Sequence, residues 1–127
     1  MKKTLIAAGF ASLLGTTAMA EGIGVSMALF DDNFLTVLRN GMDAKGKELG
    51  ANLQIEDAQN DVAKQLDQIN NFIASGVDAI IVNPVDTSAT QAMSDAAAAA
   101  NIPLVYVNRQ PVNVDTMPDN QAFVASN

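Results

Sequence analysis

Two apolar periods take turns along this chain, and that exchange limits its folds more than any other feature. Residues 22–30, GIGVSMALF, read as a strand. Phe34, Leu38 and Met42 then recur every fourth residue, with Leu49 later and Gly50 behind it, so a helix is expected from Asn33 to Leu49. Asn52 to Asp57 returns to strand character. Val62, Leu66, Ile69 and Ile73 form the stripe of a second helix, with Asn60 or Asp61 as cap and Gly76 as stop. DAIIVN, residues 78–83, is almost continuously apolar, as a strand buried on both faces should be, and Pro84 ends it. A third helix, capped by Asp86 or Thr87, is expected through the alanines 96–100 and to stop near Asn101. Alanine's high helix propensity gives that run a structural role. IPLVYVN, residues 102–108, is a fourth strand. Residues 109–120, with Pro111 and Pro118, read as a loop, and AFVAS, residues 122–126, as a short fifth strand.

Strands exchanging with helices in this way specify an α/β fold. The expectation is a doubly wound parallel sheet with right-handed crossovers and strand order 2-1-3-4-5. Such sheets gather their chemistry at the carboxyl ends of the strands, where the order reverses. The positions to inspect are therefore Asp31 and Asp32, Gln59 and Asn60, Asn83, and Asn108 with Arg109.

Residues 1–20 read as an export signal: Lys2 and Lys3 give a positive start, Leu5 to Leu14 an apolar core, and Ala18-Met19-Ala20 a small-residue cleavage site before Glu21. The apolar stretch is well short of the roughly 20 residues needed to span a bilayer. Residues 21–127 then form one small, exported domain. Removing Lys2 and Lys3 from the seven basic residues leaves five against fourteen acidic ones, which argues against a nucleic-acid partner. The chain has no cysteine and no histidine. It therefore has no disulfide framework or thiolate metal site, and it lacks the commonest general base. No catalytic residue, cofactor or metal site is expected.

The strand ends offer carboxylates, amides and one guanidinium, a set suited to holding a ligand. With strand three between strands one and four, the ends of those two strands stand about 9–10 Å apart at ~4.8 Å per strand. Asp32 and Arg109 would reach inward across a gap the width of a sugar or cyclitol ring. A carboxylate accepts from two neighbouring hydroxyls, Arg109 presents a rigid fork of donors, and Phe34 adds an apolar face for C–H groups. Structural roles compete at each position. Asp31 or Asp32 caps the first helix, Phe34 joins its core stripe, Asn83-Pro84 ends a strand, Gln59 and Asn60 form a turn, and Arg109 is a surface charge.

FDDNF after the first strand, DAQND after the second, GVDAIIVNPVD and IPLVYVNRQP carry a family resemblance in their order and spacing. The region after residue 20 resembles, over its whole length, the amino-terminal lobe of periplasmic sugar-binding proteins of the ribose and galactose type, which serve ABC importers. VYVNRQPVN together with FDDNF is most similar to the branch that binds inositols and rhizopine, an amino-inositol derivative. The resemblance implies ligand contacts at Asp32, Phe34, Asn108 and Arg109, with Asp31 as a further candidate. It also implies a sugar or cyclitol ligand, a membrane ABC permease as partner of the full-length protein, and a monomer. Ribose binders carry Asn at the place of Asp32 and Asp at the place of Asn108, which argues against ribose, and a second aromatic at the place of Leu35, so the stacking surface here is thinner; the carboxylate pair suits a cationic amine on a cyclitol. Family members have two lobes that close on the ligand. This chain stops at VASN, where the first crossing would begin, so a truncated type I lobe is expected.

Two other classes share the topology. A receiver-like phospho-signalling domain has paired acids after strand one but an aspartate after strand three, where this chain has Asn83. The core of a sugar-responsive transcriptional regulator would follow a DNA-reading helix pair, where this chain has its signal.

Overall fold

The computed structural model describes residues 22–126; the expected signal, residues 1–20, lies outside them. The strands are β1 (Gly22–Met27), β2 (Asn52–Asp57), β3 (Ala79–Val82), β4 (Leu104–Val107) and β5 (Gln121–Val124). The helices are α1 (Asn33–Leu49), α2 (Val62–Ser75) and α3 (Thr90–Ala99). All strand pairs are parallel, and the order is β2-β1-β3-β4-β5, as the sequence predicts.

Helix limits follow from local chemistry. Asp32 caps α1 and Asp61 caps α2, each carboxylate accepting a backbone N–H three residues on. Gly50 (φ 71°) and Gly76 (φ 75°) close the same helices in the left-handed conformation, where a side chain would be strained. Gln59 and Asn60, also at positive φ, make the turn into α2, and the Asn60 N–H donates to Ala28 O at 2.8 Å. Asp86 caps a 3-10 turn at Thr87–Ala89 rather than α3 itself, which begins at Thr90.

Several strand ends differ from the sequence expectation. β1 stops at Met27 instead of Phe30, because the Ala28 N–H leaves the ladder for the side-chain Oδ1 of Asn83 at 3.1 Å. The loop 109–120 contains a 3-10 turn at Val114–Thr116, and β5 begins one residue early, at Gln121.

The side chains of β1 divide the two faces. Val25 and Met27 pack with Leu35, Leu38 and Met42 of α1 and with Leu53, Ile55 and Ile81. The opposite face of β1 carries Gly24 and Ser26, small enough for α2 to come close. A Cβ on Gly24 would lie 2.4–2.7 Å from the ring of Phe72. Ile69 and Phe72 of α2, Met93 and Ala97 of α3, and Ile80, Val82, Leu104 and Tyr106 of the sheet complete that core.

A polar cluster closes it beneath α3. The Tyr106 hydroxyl donates to Thr90 O at 2.9 Å and lies 2.7 Å from Ser94 Oγ. The Asn113 amide donates to Ser94 Oγ at 2.9 Å, and Thr90 Oγ1 lies 2.7 Å from Asn113 Oδ1. Gln121 Nε2 joins through Ser94 O at 2.9 Å. The loop after β4 is thereby tied to α3. Burial pushes the Tyr106 phenol above its ordinary 10.0; the Ser94 hydrogen bond opposes the shift and the nearby Asp95 charge reinforces it.

Gly24→Ala is expected to destabilise the fold by about 1–3 kcal/mol through overpacking against Phe72, whereas Gly22→Ala, which meets nothing within 4 Å, is neutral in the same urea titration. Tyr106 is the one tyrosine of the chain, so ultraviolet titration reads its phenolate directly, and ionisation is expected above pH 10.0. In the unfolded chain the phenol loses its proton first. The folded form then binds more protons, and Tyr106's share of stability is present below pH 10.0 and lost as pH rises through the folded value.

Candidate functional site

The site begins with a web of buried amides that fixes the carboxyl ends of four strands. Asn83, fully buried, accepts the Ala28 N–H on Oδ1 and donates from Nδ2 to Val107 O at 3.3 Å, joining β1, β3 and β4. Gln65 donates from Nε2 to Ser26 Oγ (3.0 Å) and Asn83 O (2.9 Å) and accepts the Val85 N–H at 2.8 Å. Gln68 accepts from Ser26 Oγ at 2.8 Å and donates to Asp57 O at 2.9 Å, which adds β2. Asn83 is thus committed to backbone on both sides of its amide. A receiver would carry its phosphorylated aspartate at that place.

From this frame the loop after β1 rises to α1. The Phe30 ring lies under the Arg39 guanidinium, 3.8 Å from its centroid, and Phe30 O accepts from Thr36 Oγ1 at 3.0 Å. The two neighbouring carboxylates differ in role. Asp32 Oδ1 accepts the Leu35 N–H at 2.9 Å, and Asp31 stands exposed. Leu35, 2% exposed, fills the core, while Phe34 stays 50% exposed. Phe34 is therefore outside the buried stripe that its four-residue spacing with Leu38 suggests.

Opposite, β4 ends in a three-residue turn. The Arg109 N–H donates to Val107 O at 2.8 Å across Asn108, whose φ is 70°. Asparagine tolerates positive φ better than most residues, but a γ-turn of this hand is strained and persists where its surroundings hold it. The Asn108 N–H donates to Val124 O at 3.0 Å, and Val107 O receives the Asn83 amide. Arg109 leans back over the end of β3: Nη1 donates to Pro84 O at 3.0 Å, with a longer contact to Val85 O at 3.4 Å.

An open groove of about 210 Å³ lies between these loops, walled by Phe34 and Leu38 of α1, Val107 at the end of β4 with Asn108 after it, and Val124 at the end of β5 with Ala125 and Ser126 after it. Of the five residues singled out in the sequence, Phe34 and Asn108 share this groove. Asp32 caps the helix that carries Phe34, Arg109 follows Asn108 and reaches over β3, and Asp31 lies exposed before the cap. The wall from Val124 to Ser126 carries no chemical signature in the sequence. Gln65 and Gln68 had one: they sit among Val62, Leu66, Ile69 and Phe72 at helical spacing, amides on a buried face.

The doubly wound parallel sheet, with a mostly apolar groove at its carboxyl edge that Asn108 and Ser126 make polar, is the architecture of α/β proteins that hold small ligands at the switch point. The family model for the periplasmic binding protein domain matches residues 23–126, and the chain belongs to that family. It is 66% identical, over its whole length, to a protein of Rhizobium meliloti named as a candidate rhizopine-binding protein, and covers 41% of that protein. A ribose import binding protein of Bacillus subtilis is 36% identical over 68% of this chain, which covers 28% of that relative. Among solved structures, an ABC transporter solute-binding protein of Bacillus halodurans with bound myo-inositol is 38% identical. It superimposes with a TM-score of 0.76 over 84% of this chain and 36% of its own. The chain therefore spans well under half the length of these relatives.

Asp32→Ala is expected to lower stability by about 1 kcal/mol through loss of the α1 cap, and Asp31→Ala to leave it within about 0.5 kcal/mol, compared by thermal unfolding. Equal losses would mean that Asp31 shares the capping.

Proposed function

We propose that this chain forms the ligand-binding amino-terminal lobe of an exported solute-binding protein that takes up a cyclic polyol of the inositol or amino-inositol class. The observation that carries this reading is the 66% identity, along the entire chain, to a protein named for rhizopine binding. The bound myo-inositol of the Bacillus halodurans relative agrees with the same ligand class. Delivery to a membrane ABC permease, residence in the periplasm, a signal at residues 1–20 and a monomeric state belong to the same proposal. The protein binds and releases its ligand without catalysis.

Asp32, Phe34, Asn108 and Arg109 are the proposed contacts, with Asp31 beside them. Asp32 uses Oδ1 in its cap, and Oδ2 is the acceptor for a ring hydroxyl or an ammonium group. Phe34 offers an exposed face to the ring's C–H groups. The Asn108 amide both donates and accepts. Among the described residues, the Arg109 side chain donates from Nη1 to Pro84 O and Val85 O, and its Nη2 and Nε edge is the proposed donor pair for neighbouring hydroxyls. The excess of acidic over basic residues suits a cationic amino-cyclitol.

NMR titration of the chain with myo-inositol, an amino-inositol, ribose and galactose tests the assignment. Cyclitols are expected to shift the signals of Phe34, Asn108 and Arg109 more than the sugars do. Arg109→Ala should weaken binding by at least about tenfold, the scale of a lost hydrogen bond from a charged group. Perturbation confined to residues away from the groove would reject the site, and preference for ribose would reject the ligand class. Exported protein should begin at Glu21 on amino-terminal sequencing; retention of Lys2 and Lys3 would reject the signal.

A further inference from the structure

We propose that Gln65, which is buried inside the protein, is a positioning residue for Arg109 and acts through the turn Asn83-Pro84-Val85. The inference rests on the reading of Arg109 as a ligand contact.

Gln65 is fully buried at the start of α2, and its single carboxamide grips both ends of that tripeptide. Nε2 donates to Asn83 O at 2.9 Å, and Oε1 accepts the Val85 N–H at 2.8 Å. Pro84 has no N–H to add, and the Asn83 N–H is already taken by Ser26 O at 2.9 Å. Every backbone donor of the turn is therefore committed, one of them to Gln65. The two carbonyls that Gln65 does not use, those of Pro84 and Val85, take Arg109 Nη1 at 3.0 and 3.4 Å.

A planar guanidinium held through one nitrogen presents its remaining N–H groups in a direction set by the carbonyls that hold it. Those carbonyls belong to the turn that Gln65 fixes. Without the amide, Asn83 O and the Val85 N–H would lose their buried partners, and the turn would relax to find others. Arg109 would keep its charge but lose its fixed heading.

Gln68 supplies the control. It sits almost one helical turn further along the same face of α2 and is also buried, 7% exposed. It bonds Ser26 and Asp57 O but no atom of the 83–85 turn. A loss of general stability would follow from either glutamine, whereas loosening of Arg109 is specific to Gln65.

The experiment compares Gln65→Met and Gln68→Met in the full chain, methionine being a flexible side chain of similar length. Rotation of the Arg109 guanidinium about its Nε–Cζ bond is read by NMR as exchange between the Nη1 and Nη2 signals. Myo-inositol affinity is measured on the same samples. Gln65→Met is expected to speed that rotation at least about tenfold and weaken myo-inositol binding by a similar factor, with Gln68→Met within about twofold of wild type on both. Unchanged rotation in folded Gln65→Met, or equal acceleration in Gln68→Met, overturns the proposal. If Gln65→Met fails to fold, Gln65→Asn is read instead. It keeps a polar amide but is one methylene too short to span Asn83 O and the Val85 N–H together, and the same acceleration is expected. A wild-type chain that binds no polyol, with the difference between the two glutamines intact, would sink the ligand reading and leave the link from Gln65 to Arg109 standing.

Discussion

Three buried amides, those of Gln65, Gln68 and Asn83, hold together the carboxyl ends of β1, β2, β3 and β4, and the loops that carry Asp32, Phe34, Asn108 and Arg109 depart from the ends they fix. In a low-dielectric interior an amide with a missing partner destabilises the fold by an amount comparable to a whole hydrogen bond. These amides are bonded at both oxygen and nitrogen, so the web has one well-satisfied arrangement and few near alternatives. The relative heights of the strand ends are therefore set by hydrogen-bond geometry, which is directional, rather than by apolar contact, which is not. A recognition surface for hydroxyl groups needs that directionality, because hydrogen bonds weaken steeply with misalignment.

The two faces of the sheet are packed to different purposes. On the α2 and α3 side, Gly24 admits Phe72, and Tyr106 is enclosed by Ser94, Thr90 and Asn113, so that the loop after β4 is held from beneath. On the other side, α1 covers β1 and β2 through Val25, Met27, Leu53 and Ile55, while Val124 at the far edge is 56% exposed. The groove opens on this less covered side, between α1 and the ends of β4 and β5. A firmly packed face thus supports the strand ends from behind, and the open face presents Phe34 and Asn108.

Much of this architecture was legible in the residues. Both glycine stops and the α1 and α2 spans followed from periodicity and capping chemistry, since each is decided by neighbours within a few residues, whereas the strand order was an expectation about the whole α/β sheet. The details of the site were less so. Asp31 and Asp32 are chemically alike, and only the path of the chain leaving β1 assigns the cap to Asp32. Phe34 and Leu35 both fit an apolar helix face, and the rotation of α1 on the sheet buries the leucine and exposes the ring. The apolar run continues three residues past the end of β1, through Ala28, Leu29 and Phe30, while the event that ends the strand is a hydrogen bond to Asn83, 55 residues from Ala28.

By itself, then, the sequence determined the alternation of strands and helices, the parallel doubly wound sheet, and the set of residue types available at its carboxyl edge, because local periodicity and turn chemistry act over short spans. Only the tertiary structure decided which acid caps, which aromatic ring faces solvent, how Arg109 is anchored on the turn after β3, and that two glutamines of α2 belong to the frame of the site. Those outcomes depend on contacts between residues far apart in the chain, and hydrogen-bond partners of that kind leave no periodic trace in a single sequence.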